Sequence, residues 1–363
     1  MLRNRIIFGV LWVLSVVGIS FYGGPVSYGL FLVLTFIPVT SLVYLIYVFF
    51  NYRIYQEIGS KNPMAGSSTP YFITLQNEKK LLFSSISVSF FGFFSEIEGL
   101  EEKNEYELSP GDGMRLETGI VCRYRGEYYV GVERISILDP FRLIRLNFKN
   151  PEPLLVNVKP ERATDEGIER ESVTEEYLES KTTQDIPDVI MREYVPGDDV
   201  RNINWRVSAR MGELFVRTKT GEEKRGILLI PDTVRYSDDK YKYIPDEHRI
   251  IKKILDISFY YVRQGIPVSL FAISGGDRCV HTEVSSDTGF QEYVDEVSGI
   301  VFDENGDGSL LLQELMQSPK ALCFNNCFII ASQPGKVTSA VCDYLERSGK
   351  NVKILAVGDK DEG

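Results

Sequence analysis

Three groups of side chains in this 363-residue chain have the types and spacing for chemistry. The densest is the stretch REYVPGDDVRNINWRVSARMGELFVR, residues 192–217, with five arginines, four carboxylates and one of the chain's two tryptophans. Val195-Pro196-Gly197-Asp198 suits a type II turn, because Pro196 pre-sets φ near −65° and Gly197 accepts the positive φ that follows. Asp198 and Asp199 lie close in sequence to Arg201, Arg206 and Arg210, and guanidinium forks clasp carboxylates bidentately. A single exposed ion pair contributes only ~0–1 kcal/mol. Matched charge at this density therefore predicts an interlocked polar lattice that fixes one backbone shape. Its expected uses are packing a turn between two domains or docking a partner through a rigid charged corner.

The second group is Asp303, Asn305, Asp307 and Glu314, which with glycines at 306 and 308 fits the twelve-residue calcium loop D-x-[DN]-x-[DN]-G-x5-E. Alternating oxygen ligands of that kind wrap a hard cation, and the last carboxylate closes the cage. Against a calcium site, the loop is single and its ninth position is Leu311, which offers no oxygen. A connecting loop with Asp307 or Ser309 capping a following helix accounts for the same residues. The third group is Asp232, just after the apolar run Gly226–Ile230, where open α/β sheets place their ligands.

Other chemistries are excluded by composition. Two histidines, His248 and His281, argue against a histidine-based zinc site or a Ser-His-Asp triad, and no G-x4-G-K-[ST] phosphate loop occurs. Ser208 has no histidine near it in sequence. No catalytic residue is assigned, and the chain is expected to be non-enzymatic. Five cysteines at 122, 279, 323, 327 and 342 form no disulfide framework. A net charge of −11 argues against a nucleic-acid partner.

The elements that must position these residues fall into distinct segments. Residues 6–22 and 26–50 carry no charge, and about 20 helical residues cross a bilayer. Gly23-Gly24-Pro25 breaks the run, which predicts a two-helix transmembrane hairpin over 1–55. Arg3, Arg5, Arg53 and Lys61 flank it, so the positive-inside bias predicts a cell-membrane protein with two spans, both chain ends and the soluble domains being cytoplasmic. Asn62–Thr69 reads as a linker. Residues 70–160 then predict a β-sandwich-like domain, with strands at Tyr71–Leu75, Leu81–Phe90, Tyr106–Leu108, Gly119–Tyr124, Tyr128–Leu138, Leu143–Phe148 and Leu154–Lys159. Residues 161–190 are an acidic connector, 191–225 hold the charged motif, and 226–363 alternate strands with helices. That alternation predicts a parallel sheet covered on both faces.

The charged motif also carries a resemblance. Arg192, Glu193, Tyr194, Pro196, Gly197, Asp198, Asp199, Arg201, Ile203, Trp205, Ser208, Ala209 and Arg210, followed by Leu214, Val216 and Arg217, resemble the signature of the domain-of-unknown-function family DUF58. Asp139-Pro140-Phe141 is similar to a second family feature, a D-P-F turn before a strand. The resemblance implies a von Willebrand factor A-like, Rossmann-like C-terminal domain. It implies a MoxR-type AAA+ ATPase as partner, in company with other membrane proteins, and names no settled activity. In metal-binding von Willebrand A domains a D-x-S-x-S pattern holds magnesium. Here Val234 and Tyr236 occupy the serine positions, and Ser332 and Gln333 stand where an acid is usual. The leading expectation is a metal-free membrane-anchored assembly factor. The alternatives are a calcium- or magnesium-dependent binding module and, more weakly, a membrane-associated enzyme.

Overall fold

The computed structural model describes residues 2–99, 105–164, 189–193, 203–219, 224–275, 277–303, 308–317, 324–333 and 335–357. It divides into two units, Met1–Glu161 and Arg162–Gly363.

The first unit opens with helices α1 (Leu2–Tyr22) and α2 (Pro25–Asn51), both long and apolar enough to cross a membrane. Gly23, at φ 53°, makes the break between them. Ten strands follow: β1 (Arg53–Ile58), β2 (Ser68–Gln76), β3 (Phe83–Phe90), β4 (Ser95–Ile97), β5 (Glu105–Leu108), β6 (Gly113–Cys122), β7 (Gly126–Val130), β8 (Val132–Leu138), β9 (Arg145–Lys149) and β10 (Leu154–Val158). They form antiparallel sheets ordered β1-β2-β6-β4 and β5-β3-β8-β9, with β7 paired to β10. Strand alternation sends every second residue inward. Tyr71, Ile73 and Leu75 of β2, Ile86 and Val88 of β3, and Ile135 and Ile137 of β8 are accordingly buried.

Three expectations are corrected here. The sheet begins at Arg53, well before residue 70, because β1 pairs with the whole inner length of β2, from Arg53↔Gln76 to Ile58↔Tyr71. Asn62–Thr69 is packed against the sheets: Ala65 is buried, its N–H donates to Lys159 O, and Gly66 N–H donates to Cys122 O. The single strand expected over Tyr128–Leu138 is two, split at Gly131. That residue has φ 80°, and a side chain there would meet Gln56 Oε1 at 2.5 Å and the Tyr71 hydroxyl at 2.6 Å. Only glycine accepts both the backbone angle and the crowding.

In the second unit β11 (Val189–Glu193) pairs antiparallel with β12 (Phe215–Lys219), and the short helix α3 (Trp205–Met211) lies in the excursion between them. The remaining strands, β13 (Lys224–Pro231), β14 (Val268–Ser274), β15 (Arg278–Val284), β16 (Phe324–Ala331) and β17 (Asn351–Ala356), form one sheet ordered β15-β14-β13-β16-β17. Four are parallel, whereas β15 runs antiparallel to β14. The purely parallel sheet expected from the sequence is therefore mixed, since the tight turn around Gly275 returns the chain directly as an edge hairpin. Helices α4 (Lys240–Arg263) and α5 (Asp287–Ser298) pack with Ile227 and Leu229 on one face. Helices α6 (Gly308–Gln317) and α7 (Lys336–Arg347) pack with Leu228 and Ile230 on the other. β13 thus buries both faces, which is why its sequence reads as one apolar run. Helix α4 has Asp239 as its N-cap, accepting from Tyr241 N–H, and tolerates Pro245 inside.

Candidate functional site

The signature segment folds as a hairpin, with Glu193 opposite Phe215, Arg192 opposite Val216 and Met191 opposite Arg217. Only the backbone of Arg192, Glu193 and Arg217 is described, and Tyr194, Pro196, Gly197, Asp198, Asp199 and Arg201 lie outside the described residues. Ser208 is the brace. Its buried hydroxyl accepts from Phe215 N–H at 2.8 Å, and Asn204 N–H donates to Phe215 O at 2.8 Å, so the short helix is tied to the start of β12. Gly212, at φ 78°, ends the helix in the left-handed conformation that favours glycine. Around this brace the large side chains point outward: Trp205 is 63% and Met211 64% exposed, and Leu214, Arg206 and Arg210 are exposed too. The expected polar lattice turns on Asp198, Asp199 and Arg201, which lie outside the described residues.

Asp232 occupies the second location. β13 is the strand at which the sheet order reverses: the chain leaves it toward β14 on one side and reaches β16 on the other. Asp232 follows at its carboxyl end, buried, with its own N–H donating to Ile330 O at 2.8 Å. Its carboxylate is fully engaged by protein groups. Oδ1 accepts from Val234 N–H (3.1 Å), and Oδ2 accepts from the Tyr236 hydroxyl (2.7 Å) and the Thr338 hydroxyl (3.1 Å). Burial, and then the facing carboxylate, push the Tyr236 hydroxyl well above the ordinary tyrosine range. It therefore stays a donor at all ordinary pH. Gly335 permits the latch, because a side chain there would meet the Tyr236 oxygen at 2.8 Å. The residue at the fifth position of the D-x-S-x-S comparison thus takes up one of the aspartate's acceptor sites.

Of the four calcium-loop residues, only Asp303 and Glu314 are described. Asp303 forms an isolated parallel bridge with Val234, its N–H donating to Thr233 O and its carbonyl accepting from Arg235 N–H. Leu311 faces the core and Glu314 is exposed on α6, while Asn305 and Asp307 lie outside the described residues. Among the described residues no group of three His, Cys, Asp or Glu side chains is placed to hold a metal.

One junction escaped sequence reasoning. Asp139, in the D-P-F turn between β8 and β9, is buried and accepts four hydrogen bonds. Leu143 N–H and Ile144 N–H reach Oδ1 at 2.7 Å each, while Phe141 N–H (3.2 Å) and the Ser41 hydroxyl of α2 (2.9 Å) reach Oδ2. Arg5 Nε of α1 donates to Leu143 O at 2.7 Å, and Tyr44 donates its hydroxyl to Leu82 O at 2.8 Å while accepting from Ser84 N–H. Ser41, Leu45 and Val48, on one face of α2, are buried. Ser41 is one of several hydroxyl residues in α2, with Ser27, Thr35 and Thr40, so the sequence did not single it out.

Residues 190–296 match the family described as protein of unknown function DUF58, which supports that resemblance over the signature hairpin and the first part of the α/β sheet. No curated protein matches. Among solved structures, Cwp6 from Clostridium difficile aligns at 9% identity with a TM-score of 0.17, over 84% of this chain and 37% of that one. A GH20 exo-β-N-acetylglucosaminidase from Vibrio harveyi, in complex with N-acetylglucosamine, aligns at 10% identity and TM-score 0.18, over 77% of this chain and 46% of that one. The chain spans less than half the length of either. Likenesses this low carry no argument about fold or activity.

Proposed function

We propose that this chain is a membrane-anchored, non-enzymatic interaction protein, with both ends of its helical hairpin on the cytoplasmic side and the signature hairpin as its docking face. The observation that carries the reading is the exposure of Trp205 and Met211 on a turn held rigid by Ser208. Exposed tryptophan flanked by arginine is the composition of interface hot spots. The sheet order, with one antiparallel edge strand and helices on both faces, supports the von Willebrand A-like assignment of the α/β region. The occupation of Asp232 by Tyr236 and Thr338 favours a metal-free module over a magnesium-dependent one. A MoxR-type AAA+ ATPase is the partner class, proposed from the family resemblance.

Affinity capture of the full chain from native membranes tests both parts. The wild type is expected to retain an AAA+ ATPase, and Trp205→Ala is expected to lose it without a change in unfolding. Undiminished capture by Trp205→Ala removes the docking face, and capture containing no ATPase removes the partner class.

A further inference from the structure

Helix α2 is longer than a membrane crossing needs. Its 27 residues span about 40 Å, whereas the hydrocarbon core is about 30 Å deep. Counting inward from Pro25, about 30 Å of helix ends near Tyr44. Contacts with the β domain begin at that level, with Ser41 on Asp139 and Tyr44 on Leu82 and Ser84. On α1 the corresponding level is Arg5, bonded to Leu143 O. The last turns of α2 run along the β8–β9 side of the sheet, where Phe49 meets Phe148 edge-on at 4.9 Å between ring centres. The boundary between lipid and water therefore passes through two loops of the β domain, the β2–β3 turn and the β8–β9 turn.

Both loops present half-exposed apolar side chains. Leu81 is 47%, Leu82 49% and Phe141 51% exposed. Beside them stand the cations Arg3, Lys79, Lys80, Arg142 and Arg145, all exposed. Glu105 pairs with Arg142 at 2.9 Å, and Glu78 and Asp112 are the neighbouring acids. A surplus of positive charge on this one edge contrasts with the chain's overall −11.

We propose that this edge is a membrane-docking surface, in which Leu81, Leu82 and Phe141 insert among lipid headgroups while Lys79 and Lys80 engage anionic phosphates. Apolar side chains flanked by lysine are what interfacial binding uses, and a polybasic neighbour adds electrostatic attraction to anionic leaflets. The β domain then lies against the bilayer as a fixed body, without a swinging tether. The inference rests on the hairpin spanning the membrane.

Site-specific photocrosslinking to lipid, in the full chain reconstituted into phosphatidylglycerol-containing vesicles, separates the two claims. A benzophenone amino acid would replace Leu30, Leu82, Phe141 or Phe93 in turn. Phe93 is the control: it is 45% exposed but lies past the far end of β3, about 30 Å from Leu82. Lipid adducts are expected at Leu30, Leu82 and Phe141 and not at Phe93. Adducts at Leu30 with Leu82 and Phe141 as blank as Phe93 overturn the docking surface while leaving the span intact. No adduct even at Leu30 overturns the spanning hairpin and the inference with it. Lys79→Glu with Lys80→Glu is expected to lower the Leu82 yield several-fold in phosphatidylglycerol vesicles and not in phosphatidylcholine ones. An equal yield in phosphatidylglycerol removes the anionic preference.

Discussion

Replacing Asp139 with alanine tests the joint between the hairpin and the β domain. The carboxylate is buried and accepts four hydrogen bonds, two of them at 2.7 Å. Hydrogen bonds to a charged group contribute about 1.5–3 kcal/mol each, and a buried donor left without a partner costs about 1–3 kcal/mol. The exposed turn lets water reach Phe141 N–H, so its loss is cheap. Leu143 N–H and the Ser41 hydroxyl are buried and cannot be rehydrated in place. Their loss, with partial loss at Ile144, sums to about 3–5 kcal/mol, near the upper end for one substitution. In detergent micelles the melting temperature of the β unit should fall by roughly 10 °C or more. Ser41→Ala removes a single bond and should cost about 1 kcal/mol. Asp139→Asn, which keeps the Oδ1 acceptor for Leu143 and Ile144, should fall between the two. Protease should cut the 139–144 turn first in Asp139→Ala. If that variant melts with the wild type, the carboxylate does not hold the turn, and the account of the joint is wrong.

Four further outcomes follow from the same geometry. Ser208→Ala removes the hydroxyl that accepts from Phe215 N–H and should cost about 1–2 kcal/mol, read by denaturant unfolding, while loosening the signature hairpin enough to reduce partner capture. Gly131→Ala should destabilise the β unit by about 3 kcal/mol or more, from positive φ together with the clash against Gln56 and Tyr71. Burial pushes the Cys122 thiol up to about 11 and the Cys327 thiol up to about 12, so native alkylation at pH 8 should spare both and modify them only on unfolding. Because these folded-state values lie above those of the unfolded chain, their contribution to stability is full below about pH 9 and declines as the pH climbs from there toward 11–12. Gly335→Ala should displace Tyr236 from Asp232; calorimetric titration with magnesium should give no heat with the wild type, and any heat should appear only in this variant.

Much of the architecture was legible in the sequence because burial leaves periodic traces. The uncharged runs at 6–22 and 26–50 mark α1 and α2, the alternation of Ser85 to Phe90 marks β3, and the run from Ile227 to Ile230 marks the doubly covered β13. What stayed hidden depends on pairings between distant residues. β1 looks like a polar tail to the hairpin, since its burial pattern merely alternates exposed with half-buried residues; only its partner β2 makes it a strand. The signature was recognisable as a motif, whereas Asp198, Asp199 and Arg201, on which the expected lattice turns, lie outside the described residues. Ser208, the least conspicuous of its residues, is buried and bonded, while Trp205 faces out. Asp232 sits where strand-end reasoning placed it. That Tyr236 would fill its lone pairs could not be read without the turn that brings residue 236 back over 232.

The joint at Asp139 also bears on how a membrane anchor can do more than tether. A flexible linker would let the soluble body sample any orientation, and docking of a partner would then carry an ordering cost. Here α2 is longer than the hydrocarbon core is deep, buries Ser41, Leu45 and Val48, and passes into β1 after one intervening residue, Tyr52. Phe148 packs on both Phe49 and Tyr52, so the helix end and the sheet move together. The polar contacts at Arg5, Ser41 and Tyr44 fix the rotation about the helix axis, which apolar packing alone leaves loosely defined. Anchor and β domain are thereby one rigid element. Cutting the polar contacts while keeping the apolar ones should therefore leave the chain in the membrane and its β domain folded. What it should remove is the fixed height of Leu82 and Phe141 above the bilayer.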